Sequence, residues 1–201
     1  SLELGEHPGL SAVLAARAAH ALRAYERRDA FLARAAAAAS GDEVVRIVTA
    51  AELLLDERRH PEALNLLKQL PRRHTAALRL ELKAQQQARN WEQVVALTEE
   101  LRKRNVFDAT QANEVRRHAL AENLKRKALE TSALEEAWDK ISSPDRMDRR
   151  VAAVAAQCFI ALGGCDRAHR IIEDSLEAAW DSDLIALYAE CEGGDVLKRI
   201  E

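Results

Sequence analysis

Four segments of this chain share one pattern of apolar and charged residues, and they recur roughly every 34 residues. They begin at His60, Asn90, Ser132 and Cys165, and each predicts the second helix, helix B, of a helical pair. A fifth copy begins at Arg28. The residues expected to pack closest to the first helix, helix A, are Ala30, Ala63, Val94, Leu134 and Ala168, at intervals of 33, 31, 40 and 34 residues. Because one pair cannot bury its apolar face alone, pairs of this kind stack.

A period near 34 residues with a small residue at the point of closest packing is typical of tetratricopeptide repeats. The sequence therefore predicts an all-α fold: a right-handed α-α superhelix of about five helical pairs and a truncated sixth, forming one domain over residues 1–201. The composition agrees, because 48% of the residues are hydrophobic but only 4% are aromatic, and β-strands are enriched in aromatic residues.

Turn residues predict where the helices begin and end. We expect the first pair over residues 10–25 and 28–39. Ser143 and Pro144 predict the start of a single helix that runs to about residue 162, and a last helix is expected to begin at Asp195.

The fourth pair has two predicted capping boxes. Asp108 with Gln111 predicts the start of a helix that runs to about residue 128, longer than its neighbours, and Ser132 with Glu135 predicts the start of the next. The tryptophans are expected to pack between repeats: Trp91, Trp138 and Trp180.

The cysteines and the hydropathy pattern bear on the compartment. Cys158, Cys165 and Cys191 are odd in number and have no CxxC spacing, which favours a reducing environment over a disulfide framework. Apolar runs such as the five alanines 35–39 are far shorter than the ~20 residues that cross a bilayer. Since the chain begins without Met and ends as a helix opens, we interpret it as a soluble piece of a longer protein.

No catalytic motif is present in the sequence. It has no Gly-rich phosphate loop, nucleophile elbow or HExxH, so we predict neither an enzyme nor a cofactor or metal site. Cys165 and His169 have the i, i+4 spacing of a metal or haem ligand pair, but two ligands without further partners are weak evidence, and a capped helical turn is the simpler interpretation.

The middle of the chain is basic and its end is acidic. Residues 71–130 contain 13 Lys and Arg against 8 Asp and Glu, whereas residues 131–201 contain 8 against 15. In a right-handed stack the A helices line the concave side, so cations and amides there predict a groove for carboxylates. The predicted groove residues are Arg79, Lys83, Gln86, Gln87, Arg116, Asn123, Arg126 and Lys127. Charges that merely solvate a helix surface are the alternative.

Two stretches, residues 72–101 and 159–185, resemble the tetratricopeptide part of the HemY family, which is membrane-anchored and encoded with haem biosynthesis genes in proteobacteria. The resemblance extends from about Leu14 to the end of the chain and includes the long fourth pair. It implies two upstream membrane-spanning helices, a repeat domain on the cytoplasmic face of the inner membrane, and a role in a late step of haem synthesis. The family supplies no catalytic residues to carry over.

Three functions remain open at this point. The first is an adaptor that holds haem-pathway enzymes through their acidic segments, with no nucleic acid bound and with membrane contact only through the upstream helices. The second is a tetrapyrrole carrier that pairs porphyrin propionates with the basic groove and brings His74 or His118 to iron. The third, an enzyme acting on porphyrin intermediates, lacks the buried carboxylate or cofactor that it needs.

Overall fold

A computed structural model describes residues 8–38 and 43–190, and every regular element in these ranges is a helix. The chain divides into two compact units: unit 1 is Ser1–Gln93 with Lys103–Val106, and unit 2 is Val94–Arg102 with Phe107–Glu201. Unit 1 contains α1 (Pro8–Ala21), α2 (Tyr25–Ala37), α3 (Glu43–Asp56), α4 (His60–Leu67) and α5 (Thr75–Gln87). The division falls within α6 (Trp91–Lys103).

Unit 2 continues with α7 (Ala109–Lys127), α8 (Thr131–Asp139), α9 (Ser143–Arg146), α10 (Arg149–Ala161), α11 (Cys165–Ala178) and α12 (Ser182–Glu190). The expected all-α fold of helical pairs is therefore confirmed. The fifth pair differs from the prediction, because its first helix is split into α9 and α10. The helix predicted from Asp195 lies outside the described residues.

The helices of each unit pack in the manner of a helical repeat. In unit 1, α1 packs on α2 and α3, and α3 packs on α4 and α5; in unit 2, α10 packs on α7, α11 and α12. Four A helices, α1, α3, α7 and α10, thus each contact their own B helix and the next A helix. The B helices also contact the following A helix, as in α4 on α5 and α11 on α12. Within each unit this pattern buries adjacent pairs against each other, as stacked repeats require.

Four of the pairs share one turn between helix A and helix B. It spans three residues, and the middle one has a positive φ: Arg23 (57°), Arg58 (60°), Arg89 (56°) and Gly163 (76°). The backbone N–H of the next residue donates to the carbonyl five residues before it, for example from Gly164 to Phe159 at 2.8 Å. This is the Schellman arrangement, which satisfies the last carbonyls of a helix. Three of the four turns use arginine where glycine is the usual residue.

Gly163, the glycine among these four turn residues, allows the energetic cost of the positive φ to be measured by substitution. Replacing Gly163 with alanine is expected to lower the free energy of unfolding by about 1 kcal/mol, because a Cβ disfavours positive φ. A Cβ at Gly163 would meet nothing within 4 Å, so steric crowding does not contribute. Urea denaturation measures the loss, and Gly163→Asn is the control, since asparagine tolerates this conformation better. An alanine variant as stable as the parent would contradict the backbone explanation.

Five residues were predicted to pack closest to helix A; four of them are buried as expected, and the fifth is not. Ala63, Val94, Leu134 and Ala168 are each fully buried, and each is the fourth residue of its helix. Ala30 is exposed. Because α2 begins at Tyr25 rather than residue 28, its fourth residue is Arg28, which is only 4% exposed.

Charged and aromatic groups surround Arg28. Its guanidinium pairs with Glu57, which lies in the turn after α3, and donates to Asp29 Oδ1 at 2.7 Å. The Arg28 guanidinium lies 5.1 Å from the centre of the Tyr25 ring and 3.3 Å from His20 Nδ1. A buried arginine needs such partners, since an unpaired charge in the interior is costly.

The larger apolar core lies in unit 2. It consists mainly of side chains from α7, α8, α10, α11 and α12, among them Leu124, Leu134, Val151, Phe159, Ile172 and Leu184, all fully buried. Trp138 belongs to this core at 4% exposure, and Trp91 is also buried. Trp180 is 80% exposed in the turn before α12, so its predicted role as a packing residue is wrong.

Of the two capping boxes predicted for the fourth pair, one is confirmed. The Asp108 carboxylate accepts from the Gln111 backbone N–H at 2.8 Å, and the Gln111 side chain accepts from the Asp108 N–H. The box predicted at Ser132 is wrong. The N-cap of that helix is Glu130, two residues earlier, and the helix begins at Thr131. The Ser132 hydroxyl donates to the Glu130 carboxylate instead of capping a backbone group.

The expectation of free cysteines is also corrected. Cys165 is disulfide-bonded. Cys158 is a free thiol, and burial raises its pKa. The third cysteine, Cys191, lies outside the described residues. Among the helices in residues 8–38 and 43–190, none combines the length and apolarity that a membrane span requires.

Candidate docking groove

An open groove in unit 2 contains one of the predicted site residues, Arg116. Its volume is about 640 Å³, and we call it the α7 groove. Its walls come from α6, from α7, and from the residues that lead from the end of α8 into α9: Val95, Ala96, Glu99, Arg102, Ala109, Asn113, Arg116, Leu120, Lys140, Ile141, Ser142 and Asp145. The floor is apolar and the rim carries charges of both signs.

The long α7 helix explains how one groove wall is built. Ala109, Asn113, Arg116 and Leu120 are spaced by three and four residues, which places them on one face of a helix. The confirmed capping box at Asp108 fixes where that helix begins. The capping box of Asp108 and Gln111, which predicts the start of this long helix, therefore also sets which α7 side chains line the groove.

Arg116 is held in place by two partners. It forms an ion pair with Asp145, and its Nη2 donates to the Ser142 hydroxyl at 3.3 Å. Ser142 donates in turn to the same carboxylate. Because Arg116 is only 27% exposed and its charge is compensated, it stabilises the groove wall more than it attracts a ligand.

Two other cations on the groove rim are more exposed than Arg116. Arg102 is 46% exposed and pairs with Glu99 on its own helix at 2.7 Å. Lys140 is 71% exposed and pairs with Glu136, and this hydrogen bond holds the pKa of Glu136 below its ordinary value. Exposed pairs of this kind contribute about 0–1 kcal/mol, so a ligand carboxylate can displace the internal partner at little cost.

These two residues were missed at the sequence level. A concave surface formed by A helices includes neither, because Arg102 lies on the B helix α6 and Lys140 directly follows the B helix α8. The i, i+4 pair of Glu136 and Lys140 is visible in the sequence, but it marks an exposed helix face and not a groove.

The other predicted residues of unit 2 lie further along α7. Asn123 and Lys127 continue the face of Arg116 at the same three-and-four spacing, and both are half-buried. Arg126 is exposed, and its Nη2 lies 3.4 Å from the Asn123 Oδ1 that accepts its hydrogen bond. None of these three lines the α7 groove.

Four predicted residues belong to α5 in unit 1. Lys83 forms an ion pair with Asp56 at 3.2 Å, and the Gln87 amide donates to the Leu55 carbonyl at 3.4 Å. Both contacts join α5 to the end of α3, the preceding A helix. Gln86 is half-buried and Arg79 is exposed. A single groove that includes residues of both units stays a prediction.

Lys83 is one of several A-helix cations that link one element to the next. Arg17 of α1 pairs with Glu52 of α3, and Arg149 of α10 pairs with Asp181 before α12 at 3.2 Å. Arg117 of α7 contacts Asp148, the N-cap of α10, at 3.3 Å. The basic residues of the A helices thus stabilise contacts between repeats, a use that residue counts alone do not reveal.

The candidate metal or haem ligands have other partners. Cys165 is disulfide-bonded, and the His169 Nε2 lies 3.3 Å from the Tyr188 carbonyl. The two rings of His169 and Tyr188 stack at 4.0 Å. His74 and His118 are exposed and are not part of the α7 groove. Within the residues that the structure describes, no group of three His, Cys, Asp or Glu side chains is placed to hold a metal ion.

Comparison with known proteins adds no assignment to this geometry. No protein-family model, no curated protein and no solved structure matches the chain.

Proposed function

We propose that this protein is a non-catalytic docking scaffold that binds an acidic segment of a partner protein in the α7 groove. The observation that carries the proposal is the arrangement of Arg102 and Lys140, two exposed cations in weak ion pairs, beside an apolar floor that includes Val95 and Leu120. A peptide that combines a carboxylate with a small apolar side chain complements such a surface.

The partner and the cellular setting come from the resemblance to the HemY family. On that basis we propose that the partners are enzymes of late haem synthesis, and that the repeats act on the cytoplasmic face of the inner membrane as part of a longer, membrane-anchored chain. The sequence supports this pathway through the order of its helix breaks in residues 72–101 and 159–185, and its test is separate from that of the groove.

The groove is tested by reversing its two rim cations. Arg102→Glu with Lys140→Glu is expected to weaken binding of a fluorescein-labelled acidic peptide containing leucine at least tenfold, measured by anisotropy. The parent affinity should fall as salt rises, because exposed charges are screened. Lys125→Glu with Arg150→Glu changes the net charge equally outside the groove and should bind as the parent does. Equal binding by both double variants would disprove the groove assignment.

The pathway is tested with purified late haem-pathway enzymes. An immobilised parent chain should retain at least one of them, and the variant with both rim cations reversed should not. Retention of none overturns the haem setting but leaves the peptide result standing. Haemin titration gives the competing outcome: a Soret shift would favour the tetrapyrrole carrier, although no residue lining the groove is a His, Cys, Met or Tyr that could ligate iron.

A further inference from the structure

A second groove, in unit 1, is more apolar than the α7 groove. It lies between α1 and α2, has a volume of about 500 Å³, and we call it the α1/α2 groove. Its lining residues are alanines with two large apolar side chains and two arginines: Ala15, Ala18, Ala19, Leu22, Ala24, Arg27, Ala30, Phe31 and Arg34. Leu22 is 80% exposed. Together with the alanines and Phe31 it forms a contiguous apolar surface, and such surfaces mark interaction sites.

The groove opens on the side of the α1–α2 pair that is turned away from α3. Arg17 of α1 reaches Glu52 of α3, and at 100° per residue Ala15 lies about 160° round the helix from Arg17. None of the lining residues belongs to α3. The packing of α3 on one side of the α1–α2 pair therefore leaves the α1/α2 groove open.

We propose that the α1/α2 groove is a docking site for an amphipathic helix of a partner protein that carries two carboxylates about two turns apart. Arg27 and Arg34 are seven residues apart on α2, which corresponds to about 10.5 Å along the helix. Both are exposed, and within residues 8–38 and 43–190 neither forms an ion pair. The Arg34 guanidinium lies 5.8 Å from the centre of the Phe31 ring, which joins the cationic rim to the apolar floor.

A helix fits this groove better than an extended segment does. Alanines at three lining positions, Ala15, Ala18 and Ala30, allow a third helix to approach closely. A helix satisfies its own backbone hydrogen bonds, whereas an extended peptide needs unpaired strand edges, and every described element here is a helix. A second copy of this chain is disfavoured, because a twofold contact would bring Arg27 and Arg34 against the same arginines.

The test uses a synthetic helical peptide with a leucine stripe and glutamates at positions i and i+7. Binding is followed by fluorescence anisotropy. Ala30→Trp, which fills the groove, and Arg27→Glu with Arg34→Glu, which reverses its rim, should each weaken binding at least tenfold. The control Arg72→Glu with Arg79→Glu makes the same charge change at exposed positions outside the groove and should bind as the parent does.

Each other outcome counts against the proposal. Peptide affinity that is unchanged in both groove variants overturns the proposal. Equal binding of a peptide with lysines in place of the two glutamates also overturns it. Absence of peptide binding together with self-association that Ala30→Trp abolishes would assign the groove to a second copy. Far-ultraviolet circular dichroism of each variant separates loss of binding from loss of folding. The rim residues of the α7 groove are unchanged in all of these variants, so the two sites can fail independently.

Discussion

Replacing Glu57 with alanine is expected to lower the free energy of unfolding of unit 1 by about 3 kcal/mol. The reason is the buried Arg28 guanidinium, which would lose its main counter-charge while its side chain stays only 5% exposed. The remaining carboxylate, Asp29, is 63% exposed, so it compensates the charge less. Breaking one side of a buried ion pair leaves an uncompensated charge, which costs more than the pair contributes.

Urea denaturation and hydrogen exchange of the α2 and α3 amides measure this effect in the same unit. The variant Arg28→Leu with Glu57→Leu is the informative comparison, because apolar replacement of both partners removes the charge and its desolvation cost together. We expect it to be more stable than Glu57→Ala alone. Asp29→Ala is the matched control and should change stability by less than about 0.5 kcal/mol, as exposed sites usually do. A Glu57→Ala variant as stable as this control would contradict the buried-pair explanation.

Replacing Phe159 with alanine is expected to destabilise unit 2 by about 3–5 kcal/mol, the usual range for a fully buried phenylalanine. Phe159 is fully buried within the main core, where it is surrounded by side chains of several helices. Its ring also lies 3.5 Å from the position that a Cβ would take on Gly164, so the turn between α10 and α11 packs directly on it. The loss combines removed apolar contacts with the cavity that remains.

Thermal and urea unfolding should both show the lower stability of the Phe159→Ala variant. Leu129→Ala is the control, because Leu129 is 90% exposed in the turn after α7 and its truncation leaves no cavity. Phe159→Leu should be intermediate, since it keeps part of the buried volume. A Phe159→Ala loss below about 1 kcal/mol would mean that the core collapses around the missing ring, contrary to the close packing that the contacts indicate.

The charged residues show what a sequence pattern leaves open about a binding site. Cations on A helices were expected to face a ligand, and Arg116 does lie in a groove. Its charge, however, is compensated by Asp145, and Lys83 is paired with Asp56. The net charge of a segment does not show which residue forms an ion pair with each charged side chain. The rim cations Arg102 and Lys140 were overlooked because they lie on or beside B helices.

The register error at Ala30 has a similar cause. The turn between α1 and α2 has Arg23 in the left-handed conformation where a glycine would have marked the end of a helix. Without that signal the sequence predicts a start of α2 three residues too late. The buried position then fell on an alanine, which fits the pattern of the other repeats, and the arginine that occupies it was overlooked. Tertiary partners from α1 and the turn after α3 are what make a buried arginine tolerable at that position.

The amino-acid sequence by itself determined the helical class, the period of the pairs and four of the five closest-packing positions, because these depend on local propensity and on a spacing repeated along the chain. It also determined the capping box at Asp108, whose partners lie three residues apart. Only the tertiary structure decided which charges neutralise one another and which apolar surfaces stay open. Those outcomes depend on contacts such as Arg28 with Glu57, between residues that are distant in the chain and that only folding brings together.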